Sequence, residues 1–324
     1  MIVKKLPRFI LPTLGLLLIL WGVLILLVPI LLPSTIIDSP NGDAEIRPED
    51  FPTADELASL GVDYHIRIPV GPPSAELSCF VLNPKTFPSD SLLLGTILLL
   101  HGHRDKKLSQ LDLAKWITAR GYRVVLVDHR GHGLSTGEYV SFGVWERDDM
   151  VAVLDTLESR YLLQKPLGLI GFSYGGSVAI QLTARDERVA GVVSISTFSS
   201  LREVTEDYVK CFLPFIAPML SSEQYDEAIA EAGKVAGFNP AEANTERAAS
   251  TLRVPLLLIH GEDDWKIPIK HAERIKAAVG NSCLLVRVPE RGHGDLLRGE
   301  VGVKLLEQSL RWLEEAFVKG NIDR

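Results

Sequence analysis

Residues 167–176 read Leu167-Gly168-Leu169-Ile170-Gly171-Phe172-Ser173-Tyr174-Gly175-Gly176. An uncharged apolar run, read as a strand over 167–171, leads into the motif, and a helical pattern over 174–185 leads out of it. A serine with glycine two residues before and two after has a physical cause in that setting. Its hydroxyl must project from a sharp, strained strand-to-helix turn, and only glycines let strand and helix pass so closely. The helix N-terminus behind Ser173 also favours developing negative charge. The same pattern arises by chance in loops, so the flanking strand and helix give this one its weight.

The same rhythm continues on both sides. Short apolar runs at 96–100, 123–128, 189–196, 255–260 and 283–288 predict strands. Amphipathic patterns at 108–120, 142–160, 269–279 and 301–317 predict helices between and after them. Ahead of these, 62–70 and 76–82 alternate and are joined through Gly71-Pro72-Pro73, which predicts a β-hairpin. Continuously apolar strands alternating with helices predict an α/β fold: a mostly parallel sheet with helices on both faces. One interval breaks the rhythm. Residues 199–253, ahead of the strand at 255–260, hold no core strand. They carry an apolar stretch, Cys211-Phe212-Leu213-Pro214-Phe215-Ile216-Ala217-Pro218-Met219-Leu220, then an acidic helical segment. An insertion this long reads as a lid or cap.

The N-terminal segment differs in kind. Lys4, Lys5 and Arg8 precede an uncharged run at 9–32, and Asp38, Asp43, Glu45, Glu49 and Asp50 follow it. Those 24 residues suffice to cross a hydrocarbon core as a helix. The charge asymmetry predicts a short cytoplasmic N-terminus (1–8), a single-pass signal anchor (9–32), a linker (33–60) and an extracytoplasmic domain (61–324). The alternative is a signal peptide, cleaved to release a secreted protein. It fits less well, because its apolar core is normally about 7–15 residues and ends at a small-x-small site.

Composition excludes other classes. With 46% apolar and 23% charged residues the chain is not disordered, and a net charge of −7 argues against nucleic acid as a partner. Cys79, Cys211 and Cys283 are far apart and odd in number, so they predict packed side chains rather than a disulfide framework.

A serine hydroxyl needs a general base, and the base needs a carboxylate to orient it. His293, in Glu290-Arg291-Gly292-His293-Gly294-Asp295, follows the last predicted strand. Asp264, in His260-Gly261-Glu262-Asp263-Asp264-Trp265-Lys266-Ile267-Pro268, follows the strand before it. Serine, acid and histidine thus stand in that chain order, each at the carboxyl end of a strand, where sites of open α/β sheets form. Developing oxyanion charge needs fixed donors. The backbone N–H of Tyr174 is one candidate, and that of His103, in Leu100-His101-Gly102-His103, is the other.

The chain from about Val62 onward resembles the α/β-hydrolase superfamily. It is most similar to the branch holding monoacylglycerol-lipase-like, serine-aminopeptidase-like and membrane-anchored abhydrolase-domain enzymes. The resemblance rests on His101-Gly102, Asp128-His129-Arg130-Gly131-His132-Gly133-Leu134-Ser135, the Ser173 motif, His260-Gly261 through Asp264 to Pro268, and Gly292-His293. It implies an α/β-hydrolase fold with the lid roofing an acyl pocket, and a spacing that selects Asp264 over Asp263. It also implies that the Asp128–Ser135 loop is structural, against a reading of His101, His103, His129 and His132 as zinc ligands. His103 departs from the pattern, where a small or aromatic residue is commoner.

Together these lead us to expect hydrolysis of a carboxylic ester, of a small-molecule or lipid type, by Ser173, His293 and Asp264, with no cofactor. Two alternatives stay open. An aminopeptidase or amidase would use the same residues and an acidic anchor, for which the insertion offers Glu203, Glu206 and Asp207. A silent binding protein on the same fold is the other. Acyl length, head group and oligomeric state are not legible in the sequence.

Overall fold

The computed structural model describes residues 10–42, 44–85 and 93–322, with the side chains of 10–12, 14–21, 24–26 and 319–322 left out. Its centre is an eight-stranded sheet in the order β1-β2-β4-β3-β5-β6-β7-β8. The strands are β1 (Tyr64–Val70), β2 (Ala75–Leu82), β3 (Thr96–Leu100), β4 (Arg123–Val127), β5 (Leu167–Phe172), β6 (Val189–Ile195), β7 (Leu256–Gly261) and β8 (Cys283–Val288). β1 and β2 form the antiparallel hairpin, β2 runs antiparallel to β4, and all remaining pairs are parallel.

The apolar runs are continuous because both faces of the sheet are covered. Along β3, Leu98 and Leu100 enter one core cluster while Ile97 and Leu99 enter the other. Alternate side chains point to opposite faces, so two cores require an unbroken apolar strand. Helices α4 (Val144–Ser159), α5 (Tyr174–Thr183) and α9 (Lys270–Val279) contribute to the first cluster. Helices α3 (Leu111–Thr118) and α10 (Gly299–Ile322) contribute to the second. α5 lies directly behind Ser173, and every residue from Tyr174 to Leu182 is buried, which accounts for its small and apolar composition.

The stretch read as a linker is built differently. Helix α1 (Ile10–Ile37) runs past residue 32 and contains Pro29 and Pro33. Ile36 and Ile37 enter the first core cluster. Beyond it, the Ser39 hydroxyl donates to the Gly137 carbonyl at 2.9 Å, and Asn41 Nδ2 donates to the Ser135 carbonyl at 2.9 Å. Helix α2 (Ala54–Leu60) is closed by a reciprocal Thr53–Glu56 cap and packs Leu57 and Leu60 on the second cluster. A few well-placed apolar and amide side chains bind this segment to the domain. Among the described residues no helix is long and apolar enough to cross a membrane. The predicted span at 9–32 lies largely outside the described side chains, and residues 1–8 lie outside altogether.

Between β6 and β7 the insertion forms α6 (Leu201–Phe212), α7 (Ser222–Ala236) and α8 (Thr245–Ala249). Its apolar stretch divides. Ile216 and Ala217 are buried, and Leu213 and Leu220 pack with Val209, Tyr225 and Leu32 of α1. Phe212, Phe215 and Met219 point outward, 61%, 82% and 44% exposed.

Candidate active site

Ser173 occupies the turn between β5 and α5 with φ 51° and ψ −111°. Positive φ is costly for a residue with a Cβ, and such strain persists only where the surroundings over-determine it. The surroundings are backbone. A Cβ on Gly171 would stand 2.3 Å from the Gly175 carbonyl oxygen, and one on Gly175 would stand 2.3 Å from that of Leu100. The hydroxyl is therefore presented by glycine-only contacts between strand and helix.

The carboxyl ends of β7 and β8 bring acid and base together. Asp264 is buried, and its Oδ1 accepts the backbone N–H of Ile267 at 2.8 Å. Its Oδ2 accepts from His293 Nδ1 at 2.8 Å. Neighbouring Asp263 is exposed. The two loops are pinned to each other, since the N–H groups of Glu262 and Asp263 donate to the carbonyls of Val288 and Arg291, both at 3.0 Å. With Nδ1–H donated to Asp264, the other ring nitrogen of His293 is left to accept a proton. Among the described residues no hydrogen bond joins His293 to Ser173.

Gly102 and His103 follow β3 beside the nucleophile: a Cβ on Gly102 would lie 3.7 Å from that of Ser173. Tyr174 is the first residue of α5, so its N–H has no partner within the helix. The histidines behind this loop pack as rings. His101 and His129 meet edge-on at 4.6 Å between centres, and His103 lies 5.5 Å from His132 and 5.8 Å from Tyr174. Burial pushes His103 down to about 3 and His132 down to about 4, and drives His129 well below the ordinary histidine value. All three are neutral at physiological pH. Among the described residues no group of three or more His, Cys, Asp or Glu side chains is arranged to hold a metal ion.

The Asp128–Ser135 loop is held by its own polar groups. Asp128 accepts the N–H of Leu134 at 2.8 Å and the ammonium of buried Lys107. Arg130 forms a buried two-pronged pair with Asp149 of α4, both contacts 2.7 Å. No motif announced Asp149 or Lys107, and only their partners give them meaning.

The three acidic residues weighed as an anchor are each engaged. Glu203 pairs with Arg274 and with the Ser199 hydroxyl. Glu206 lies 2.8 Å from Arg202 and 2.6 Å from Lys210. Asp207 accepts from His271 Nε2 and from Lys270, both at 2.9 Å. Sequence reasoning passed over Tyr208 of α6, whose ring centre lies 5.6 Å from the ammonium of Lys266 in the acid loop. It stands in a charged helical segment with nothing local to mark it. Cys79 and Cys283 are buried and Cys211 is partly exposed, and all three are free thiols.

Comparison with known proteins agrees with this architecture. Residues 93–232 match the family model described as serine aminopeptidase, S33. The Escherichia coli (strain K12) uncharacterized protein YfhR is 25% identical over 235 residues, covering 72% of this chain and 74% of its own. Pyrococcus furiosus esterase PF2001 superposes with a TM-score of 0.60 at 21% identity, covering 86% of this chain and 98% of that one. Pyrococcus horikoshii acylaminoacyl peptidase gives 0.55 at 17% identity, covering 78% of this chain and 40% of that one. Sheet order, nucleophile turn and these likenesses give the chain the α/β-hydrolase fold.

Proposed function

We propose that this protein is a serine hydrolase that cleaves carboxylic esters of an acyl or lipid type. The observation that carries the reading is the 2.8 Å contact of buried Asp264 with His293, on the same sheet edge as the strained Ser173 turn. His293 Nε2 takes the Ser173 proton as Oγ bonds to the carbonyl carbon. Asp264 fixes the tautomer and stabilises the imidazolium. The N–H groups of Tyr174 and His103 hold the oxyanion. The tetrahedral species collapses, His293 gives its proton to the departing alkoxide, and a water activated by the same nitrogen releases the acid.

An ester is favoured over a free-amine peptide by charge. A substrate ammonium wants an unpaired carboxylate, and Glu203, Glu206 and Asp207 are each already bonded to cations or hydroxyls. Lipid-type substrates are favoured by the exposed Phe212, Phe215 and Met219, together with exposed Ile30 and Leu31 of α1. The uncharged run at 9–32 supports membrane anchoring with the domain extracytoplasmic. Carbonate extraction and protease protection test that part, and a soluble form beginning near residue 34 would replace it with secretion.

The test of the chemistry is a fluorophosphonate probe on the full chain and on Ser173→Ala, followed by a panel of acyl esters and aminoacyl amides. Labelling is expected to vanish in Ser173→Ala, and esters are expected to turn over faster. Labelling that persists moves the nucleophile elsewhere, and faster amide turnover installs the peptidase reading.

A further inference from the structure

Helix α1 ends against the lid. Val28 and Ile36 are buried, and between them Leu32 packs with Leu213 and Leu220 of the insertion on Val209, Ala217 and Tyr225. Spaced by four, these three α1 residues form one stripe that faces the protein. Val23, Leu27 and Leu31 form a second stripe with the same spacing, and they are exposed together with Ile30. From Ile10 to Ile37 the helix carries no charged residue. The exposed lid residues Phe212, Phe215 and Met219 alternate in the chain with Leu213, Ala217 and Leu220, the residues with which Leu32 clusters. The two exposed apolar sets therefore adjoin across a packed seam, and a face of that kind marks contact with a partner or a membrane. Its rim selects lipid. Trp265, the residue after Asp264, is exposed. Beside it the Lys266 ammonium stands 6.0 Å from the centre of the Phe212 ring and pairs with no carboxylate among the described residues. Tryptophan and lysine bordering an apolar face suit a bilayer, where the indole sits at headgroup level and the ammonium reaches phosphate. A protein interface is instead depleted in lysine.

We propose that the outer stripe of α1, the exposed lid residues and the Trp265–Lys266 tip of the acid loop form one docking surface for a lipid bilayer. The inference rests on the membrane anchoring proposed above and adds an orientation to it. The Lys266 N–H donates to Asp264 Oδ1 at 3.1 Å, and Asp264 holds His293, so the rim of the docking surface belongs to the catalytic edge of the sheet. The domain is thus seated with that edge toward the membrane. The seam at Leu32 makes anchor helix and lid a single packed unit, so the tether fixes which face meets the lipid. An apolar ester then reaches Ser173 from the bilayer without first crossing water.

The experiment places full-length protein in phosphatidylcholine vesicles, with and without bromine on the acyl chains, and follows tryptophan emission. Two variants are compared, Phe215→Trp in the lid and Tyr161→Trp. Tyr161 is exposed and lies ahead of β5, at the opposite edge of the sheet from Ser173. Both positions point to solvent in the domain, so neither change disturbs its core. The emission that each adds is read against wild type, which has five tryptophans of its own. Brominated lipid is expected to lower the emission added by Phe215→Trp about twofold or more, because an interfacial face sits roughly 5–10 Å into the acyl boundary, within reach of the quencher. The emission added by Tyr161→Trp is expected to stay unchanged. No quenching of Phe215→Trp, or equal quenching of both, overturns the docking surface, while protein that remains on the vesicles after a carbonate wash leaves the anchor standing. Release by carbonate sinks the anchoring and this inference with it, and Ser173-dependent fluorophosphonate labelling then still decides the hydrolase reading.

Discussion

Asp264 holds His293 through Oδ2 at 2.8 Å while its other oxygen accepts the backbone N–H of Ile267 at the same distance. The carboxylate is thus aimed by its own loop before it aims the imidazole. Asp264→Asn replaces one acceptor by a donor and turns His293 toward the wrong tautomer. Ester turnover is expected to fall about 10³- to 10⁴-fold, as loss of a triad carboxylate does. Asp263→Asn, at an exposed neighbour, is expected to change it little. Steady-state kinetics on the two variants decide, and similar values for both would remove Asp264 from the mechanism.

Gly175→Ala tests the turn itself. The new methyl group meets the Leu100 carbonyl oxygen at 2.3 Å and that of His101 at 2.5 Å, and neither backbone group can move without shifting β3. A loss of about 1–3 kcal/mol is expected from such overpacking, with hydrolysis reduced further because Ser173 moves. Urea unfolding at the wild-type midpoint would contradict this account of the glycine.

The buried histidines predict acid sensitivity. His103 and His132 are lowered to about 3 and about 4 in the folded protein, from an ordinary value of 6.5. The unfolded chain therefore binds more protons between about pH 6.5 and 4, and stability is present above that window and lost as pH falls through it. Each contributes a slope on the order of 1 kcal/mol per pH unit. His132→Asn is expected to flatten the plot of unfolding free energy against pH by one such share. An unchanged slope would show that His132 titrates normally.

Phe215→Asp separates surface from core. The side chain is 82% exposed, so the melting temperature is expected to hold within a few degrees. Hydrolysis of a long-chain ester presented in vesicles is expected to fall by an order of magnitude or more, while a soluble acetate ester is unaffected, because burying a new carboxylate in lipid is costly. Equal rates on vesicles for both proteins would detach this face from substrate delivery.

The strand positions, the parallel sheet and the turn at Ser173 were legible because each is written locally. Two-faced burial demands unbroken apolar runs such as Thr96–Leu100, and close passage of strand and helix demands Gly171 and Gly175. The loops holding Asp264 and His293 were found through their motifs and their places after β7 and β8. Other features have no local signature, since they are meetings of residues far apart in the chain. Only tertiary structure drew Ile36 and Ile37, within the expected linker, into the core, and turned Ile216 inward and Phe215 outward within one apolar stretch. It also paired Arg130 with Asp149 and Asp207 with His271, and set Tyr208 of a charged helix beside Lys266 of the acid loop. A lone charge or tyrosine reads as solvated surface until its partner is known, and the partner is chosen by how the elements pack rather than by the residues beside it.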